Sequence, residues 1–188
     1  MGWQHSGAVW SAAPVTTDFL TPEQLAVQCR VSAPDEAVLL TGMGRAAVAH
    51  VERATNRLLS QRSCVLRLPC LPTGRTGVEL PGGIVASVTS ITVDGTAISL
   101  TGLEIMGDSP VQIVPAADWP VASGDTYPVR ITYLAGYATS ADAPEMMAAA
   151  LMVAAELFER RESQVEGMRV GENPAVAALI GAVRIMPR

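Results

Sequence analysis

Residues 84–100 read IVASVTSITVDGTAISL, and this stretch decides the fold class of the chain. Small polar and β-branched residues alternate on either side of Asp94 and Gly95. An Asp-Gly pair favours a tight hairpin turn, because both positions accept a positive φ. The pattern therefore predicts antiparallel strands at 84–93 and 97–100.

The strand pattern continues on both sides of this hairpin. From Cys64 to Leu134, valine, isoleucine and threonine recur between glycine, proline and aspartate residues that end each run. This alternation is typical of short strands joined by turns. The further strands that it predicts are 64–68, 78–80, 111–114 and 129–134.

Helical signals precede this block. Thr21, Pro22 and Gln24 have the spacing of a capping box with proline at the first helical position, which predicts the start of a short helix. A second helix is predicted at 34–59 from apolar residues at steps of three and four. Gly42 and Gly44 weaken it, so we expect a packing partner close to both glycines.

Helical signals return after the block. Asp142 and Glu145 have capping-box spacing before a strongly apolar helix that should reach about residue 162, and Asn173 precedes a last short helix. The fold class is therefore α+β, with a helical bundle core and an inserted β-rich block that is sandwich- or barrel-like. We expect the two helical parts to share one core formed by Val51, Leu58, Val153 and Leu157.

This order of elements also predicts the domain organisation. The predicted parts are an N-terminal extension (1–20), a helical core with a C-terminal tail (21–62 and 136–188) and the β-rich insertion (63–135). The extension contains Trp3 and Trp10 without a helical or strand period. It is interpreted either as a poorly ordered tail or as an arm that anchors on a neighbouring subunit.

Charge and cysteine content exclude several classes of protein. The net charge is −5, all 13 basic residues are arginine, and the sequence lacks the clustered cations that grip nucleic acid. An acidic chain is still compatible with a conduit through which DNA slides. Three cysteines without a C-x-x-C pair suggest neither a disulfide framework nor a zinc site, so no metal or cofactor is expected. Neither a secretory signal nor a membrane span is predicted.

Catalytic residues are hard to find in this sequence. His5 lies in the extension, and His50 flanks the apolar face of the second helix. A nucleophile formed by Cys64 or Cys70 with a histidine is not required by any spacing. Turn chemistry explains the scattered carboxylates Asp94, Glu104, Asp108, Asp118 and Asp125. The sequence therefore does not predict an enzyme.

The order of several motifs carries a family resemblance. TPEQL (21–25) leads to CRV (29–31), a long helix ends in VERATNR (51–57), LPGG (80–83) runs into SVTSI (87–91), and WP (119–120) precedes VRITYLAGY (129–137). Pro144-Glu145 opens a helix that ends in FERRE (158–162). In this order and spacing the chain resembles the head-tail connectors (adaptors) of tailed bacteriophages and gene transfer agents.

The resemblance implies a structural function. Such subunits form a ring of about twelve copies in the neck of a virion or phage-like particle, assembled in the bacterial cytoplasm. Their partners are the portal protein and a stopper or tail-completion protein, and DNA passes through the lumen without specific binding. The predicted portal-binding residues are Ile180, Val183, Arg184, Ile185, Met186, Pro187 and Arg188. The predicted inter-subunit contacts are Trp3, Trp10, Glu159, Arg160 and Arg161, the last three being otherwise a solvated helix end.

Other functions remain open at this point. Within the neck, the chain could be a stopper or a tail terminator. A carbohydrate- or cell-binding module would use the β-rich block, with Trp119 and Tyr127 as an exposed aromatic platform. A small hydrolase would require His50 to lie in a pocket.

Overall fold

The computed structural model describes residues 7–16, 18–107, 110–123, 126–159 and 173–185. It contains helices and two antiparallel sheets, so the predicted α+β class is confirmed. The chain divides into two compact units. The β-rich unit comprises Met1–Thr16, Gln61–Gly136 and Ile185–Arg188, and the helical unit comprises Thr17–Ser60 and Tyr137–Arg184.

The described strands all belong to the β-rich unit. In chain order they are β1 (Val9–Ala12), β2 (Arg62–Leu68), β3 (Val78–Leu80), β4 (Val85–Val93), β5 (Thr96–Ala97), β6 (Glu104–Met106), β7 (Val111–Val114) and β8 (Val129–Ala135). A five-stranded sheet has the order β1-β2-β8-β4-β5, and a three-stranded sheet has the order β3-β7-β6. The predicted hairpin turn is confirmed, with φ of 51° at Asp94 and 77° at Gly95, but its second strand is Thr96–Ala97 and not 97–100.

Alternation along the central strands gives the larger sheet one buried face. In β2 the side chains of Cys64, Leu66 and Leu68 are fully buried, while Arg67 between them is exposed. In β8 four alternate residues are buried in the same way: Val129, Ile131, Tyr133 and Ala135. Because side chains alternate between faces in a strand, the residues between these belong to the opposite face.

The described part of the helical unit contains four α-helices around one core. They are α1 (Pro22–Cys29), α2 (Ala33–Thr55), α3 (Pro144–Glu159) and α4 (Pro174–Val183), with a 3₁₀ helix at Ser140–Asp142. Leu25 of α1, Leu40 and Val51 of α2, Ala150 of α3 and Ile180 of α4 are all buried in this core. Alanines on α3 let the neighbouring helices pack closely.

Two of the predicted helix caps are confirmed. Thr21 Oγ1 accepts from the Gln24 amide, and the Gln24 side chain accepts from the Thr21 amide, which completes the capping box. At the start of α4, Asn173 Oδ1 accepts from the Ala175 amide at 3.0 Å. These bonds satisfy amides that the first helical turn leaves without partners.

Two helix boundaries differ from the prediction. Helix α2 ends at Thr55 rather than at residue 59, because Asn56 adopts the left-handed conformation with φ of 57°. The expected capping box of Asp142 with Glu145 is wrong. Asp142 instead accepts from the amide and hydroxyl of Thr139, both at 2.9 Å, and so caps the 3₁₀ helix.

The expectation for the two helical glycines is half right. A Cβ at Gly44 would lie 2.7 Å from Leu25 Cδ1, so α1 does approach α2 closely there. Gly42 is exposed, and a Cβ there would meet nothing within 4 Å. The expected four-residue core is also only partly right, because Val51 and Val153 pack in it while Leu157 is 41% exposed.

The N-terminal segment corrects the predicted extension. Residues 9–12 form β1, which pairs antiparallel with β2 from Val9 opposite Arg67 to Ala12 opposite Cys64. Residues 9–12 are therefore an edge strand of the larger sheet and not part of a separate tail. The prediction also missed β6, whose three residues are all exposed. An exposed edge strand needs no apolar alternation, which is the signal that the prediction used.

Candidate interaction surfaces

His50 and Cys64 are candidate catalytic residues, and the fold accounts for the position of each. His50 is exposed on α2. Cys64 is fully buried in β2, and its thiol donates to the Arg62 carbonyl at 3.6 Å. Within the described residues, no group of three or more His, Cys, Asp or Glu is placed to hold a metal ion. None of the described helices is long and apolar enough to cross a membrane.

Asp94 is one of the carboxylates that were predicted to have a role in turns. Its Oδ2 accepts from the amide and the hydroxyl of Ser123, at 2.9 and 3.1 Å. Asp108 and Asp125 lie outside the described residues. Elsewhere, Asp18 forms an ion pair of 2.8 Å with Arg45, and this hydrogen bond raises the pKa of the arginine.

The aromatic residues of the β-rich unit do not form the expected platform. Trp119 is 6% exposed, and its indole Nε1 donates to the Thr76 carbonyl at 2.8 Å. Its backbone amide donates to Gly74 O at 3.1 Å. Tyr127 is exposed, but the buried Trp119 cannot form the expected platform with it. Trp119 therefore stabilises the loop at 73–77.

Trp10 has a specific partner in its own chain. Its indole Nε1 donates to the Tyr133 phenol oxygen at 2.7 Å, and the Tyr133 hydroxyl donates to the Pro81 carbonyl at 2.8 Å. Burial raises the pKa of the Tyr133 phenol above its ordinary value, and Cys64 adds to this rise, while the bond from Trp10 opposes it. The Trp10 ring is still 39% exposed. Its predicted contact with a neighbouring subunit stays a prediction, and Trp3 lies outside the described residues.

The C-terminal helix is anchored within the helical unit. Ile180 is 8% exposed in the core, and Val183 packs against the same core. Arg57 Nε donates to the Val183 carbonyl at 2.6 Å, which ties the end of α4 to the end of α2. The sequence suggested that so short a helix needs a partner surface, and α2 and α3 of the same chain provide it. Ile180 therefore has a role inside the core.

The chain leaves the helix immediately after this anchor. Arg184 is extended, with φ of −67° and ψ of 129°, and exposed, and Ile185 is half-buried. Glu159 is exposed at the end of the described part of α3. The remaining residues predicted to contact partners lie outside the described part of the chain: Arg160, Arg161, Met186, Pro187 and Arg188.

The outer face of the five-stranded sheet carries a feature that the sequence analysis missed. Strand pairing places five residues side by side across it: Val9, Arg67, Arg130, Thr92 and Ala97. We call this set the arginine row. Both arginines are exposed and directly opposite each other on neighbouring strands. The sequence did contain a signal for this row, because each of the two strands has an arginine between two apolar residues.

Comparison with solved structures finds chains of the same fold. A chain in the virion of a native gene transfer agent particle is 25% identical, with a TM-score of 0.76 over 95% of this chain and 96% of that one. The chain shares its fold with gene transfer agent particle proteins. A chain in the neck of an empty particle, computed with C6 symmetry, has a TM-score of 0.78 at 23% identity and covers 96% and 97%.

A third match is a chain in the neck of the native particle, computed with C12 symmetry, with a TM-score of 0.70, 24% identity and coverage of 95% and 97%. No protein-family model matches the sequence, and no curated protein is significantly similar to it. The structural likeness to gene transfer agent neck proteins confirms the resemblance that the order of motifs predicted.

Proposed function

We propose that this chain is a head-tail connector (adaptor), a structural subunit of the neck of a phage or gene transfer agent particle. The observation that carries the proposal is the match to neck chains over nearly the whole length of both partners, with TM-scores of 0.70 and 0.78. Because the likeness extends across both compact units, it is more than a shared small domain.

The ring is the second part of the proposal. Two of the matched chains come from necks computed with C6 and C12 symmetry. Closed rings arise when one face of a subunit binds a different face of the next copy around an axis. We propose a ring of about twelve copies on this basis. Each unit of the chain has a buried core, so the subunit can bind its neighbours without refolding.

The proposed ring is a conduit for DNA. The chain carries 18 acidic and 13 basic residues, which gives the net charge of −5. Affinity for DNA comes mainly from cations that neutralise phosphates, and an acidic surface repels the duplex. A ring of such subunits lets DNA pass without holding it.

The proposed portal contact begins where α4 ends. Arg184 is exposed and extended directly after a helix that is fixed to the core through Ile180 and Arg57. The proposed portal-binding segment is therefore Arg184, Ile185 and residues 186–188. Val183 stays at its inner boundary, and Ile180 acts only as the internal anchor.

A complementation experiment tests the adaptor function. Cells that make the particle but lack this chain are expected to accumulate DNA-filled heads without tails, and the full chain supplied in trans should restore tailed particles. Normal tailed particles without the chain would overturn the proposal. Heads that fail to retain DNA would instead indicate the stopper, and tails of abnormal length without heads would indicate the tail terminator.

A further inference from the structure

We propose that the arginine row binds a carboxylate of a second copy of this chain, and so forms one side of the ring interface. The inference rests on the proposed ring and adds to it a surface and a chemistry. Arg67 and Arg130 are exposed neighbours on β2 and β8. Residues directly opposite on paired strands have Cβ atoms about 4.5–5.5 Å apart, so the two arginine side chains begin next to each other.

This arrangement is unfavourable in the isolated subunit. Like charges directly opposite in a sheet are destabilising, and neither arginine forms an ion pair with another described residue. The strand partners across the row are Val9 and Thr92, which bring no negative charge. The next row of side chains on the same face also lacks a carboxylate and consists of Ser11, Val65, Thr132 and Ser90.

A nearby carboxylate is already engaged. Asp94 is the first residue after β4, the strand that contributes Thr92 to the row. Its side chain accepts two hydrogen bonds from Ser123. Because neither arginine has a described carboxylate partner, an external carboxylate can bind the row. Two guanidinium groups side by side match the bidentate hydrogen bonding of a carboxylate.

A second copy of the chain fits this requirement better than DNA. Two cations neutralise little of a phosphate backbone, whereas the remaining surface of an acidic chain repels it. The same acidity makes another copy complementary to the row. Exposed carboxylates among the described residues include Glu104, Asp118 and Glu145. A head-to-tail ring contact joins two different faces of the subunit, so the arginine row on one copy can meet an acidic face of the next.

The absence of lysine from the sequence makes a direct test possible. The change Arg130→Lys introduces a single lysine side chain, which a carbodiimide joins without a spacer to any carboxylate in salt-bridge contact. Particles are assembled from a mixture of ¹⁴N- and ¹⁵N-labelled copies of this variant and crosslinked in the neck. We expect crosslinked peptides of mixed isotope composition that join position 130 to an acidic residue of another copy.

The matched control is Arg53→Lys, which places a lysine at an exposed position of α2 in the helical unit. It should give at least tenfold fewer mixed-isotope crosslinks. Equal crosslinking at positions 53 and 130, or a position 130 that is joined only to another protein or to nothing, would overturn the inference.

A charge reversal separates this inference from the proposed function. Arg67→Glu with Arg130→Glu should give folded monomers that no longer enter particles, while Arg53→Glu should enter normally. If the reversed variant enters at the wild-type level, the arginine row is not an interface although the ring exists. If the wild-type chain is itself absent from particle necks, the proposed function fails as well.

Discussion

The indole Nε1 of Trp10 donates a 2.7 Å hydrogen bond to the phenol oxygen of Tyr133, a residue 123 positions further along the chain. Strand β1 has only four residues and lies at the edge of its sheet. The bond joins this strand to the buried face, because Tyr133 also donates to Pro81 O. This hydrogen bond therefore attaches to the sheet an N-terminal segment that lacks apolar periodicity.

This relationship predicts a local effect on stability. Trp10→Phe keeps an aromatic ring and removes the donor, so it should lower the free energy of unfolding by about 1 kcal/mol. Hydrogen exchange should become faster at the amides of β1 and stay unchanged in α2. Urea denaturation and exchange mass spectrometry measure the two effects. Tyr127→Phe, at an exposed tyrosine, is the control and should change neither.

The buried phenol predicts a dependence on pH. Burial raises the pKa of Tyr133 above its value in the unfolded chain, so the folded state holds this proton more tightly. The resulting stability is complete below pH of about 10 and is lost as the pH rises further. Tyr133→Phe should flatten the decline in stability above that pH. An equally steep decline in this variant would assign the loss to other groups.

The two glycines of α2 provide a matched pair. Gly42→Ala should raise the free energy of unfolding by about 0.5–1 kcal/mol, because alanine is the better helix former and the position is open. Gly44→Ala should lower it by about 1 kcal/mol, because the new Cβ overlaps the buried Leu25 and overpacking outweighs the helical gain. Equal stabilisation by both changes in urea denaturation would contradict the packing of α1 on α2.

The C-terminal segment has a predicted role in assembly. Deleting residues 184–188 should leave the thermal midpoint within about 2 °C of wild type, because the last core anchors precede the deletion. DNA-filled heads without tails should accumulate. Arg184→Glu, a single change at an exposed residue, should give the same defect in a milder form. Electron microscopy counts the tailed particles, and normal tailing in both variants would refute the portal contact.

The sequence predicted the elements that carry strong local signals. Thr21 with Gln24 and the Asp94-Gly95 turn specify local geometry through short-range hydrogen bonds and positive φ, and both were confirmed. Strand β1 depends on a partner more than 50 residues away, so its own sequence contains no such signal. The pairing of Arg67 with Arg130 was unpredictable for the same reason, since it depends on the register between two distant strands.

The position of the chain in an assembled particle tests the central claim most directly. A cryo-EM map of the neck of DNA-filled particles should contain the five-stranded and three-stranded sheets and the four helices of this chain. These should repeat around the axis directly beneath the portal, with residues 184–188 in contact with it. A neck map without this fold, or one that places the chain at the tail tip or on the capsid surface, would contradict the account.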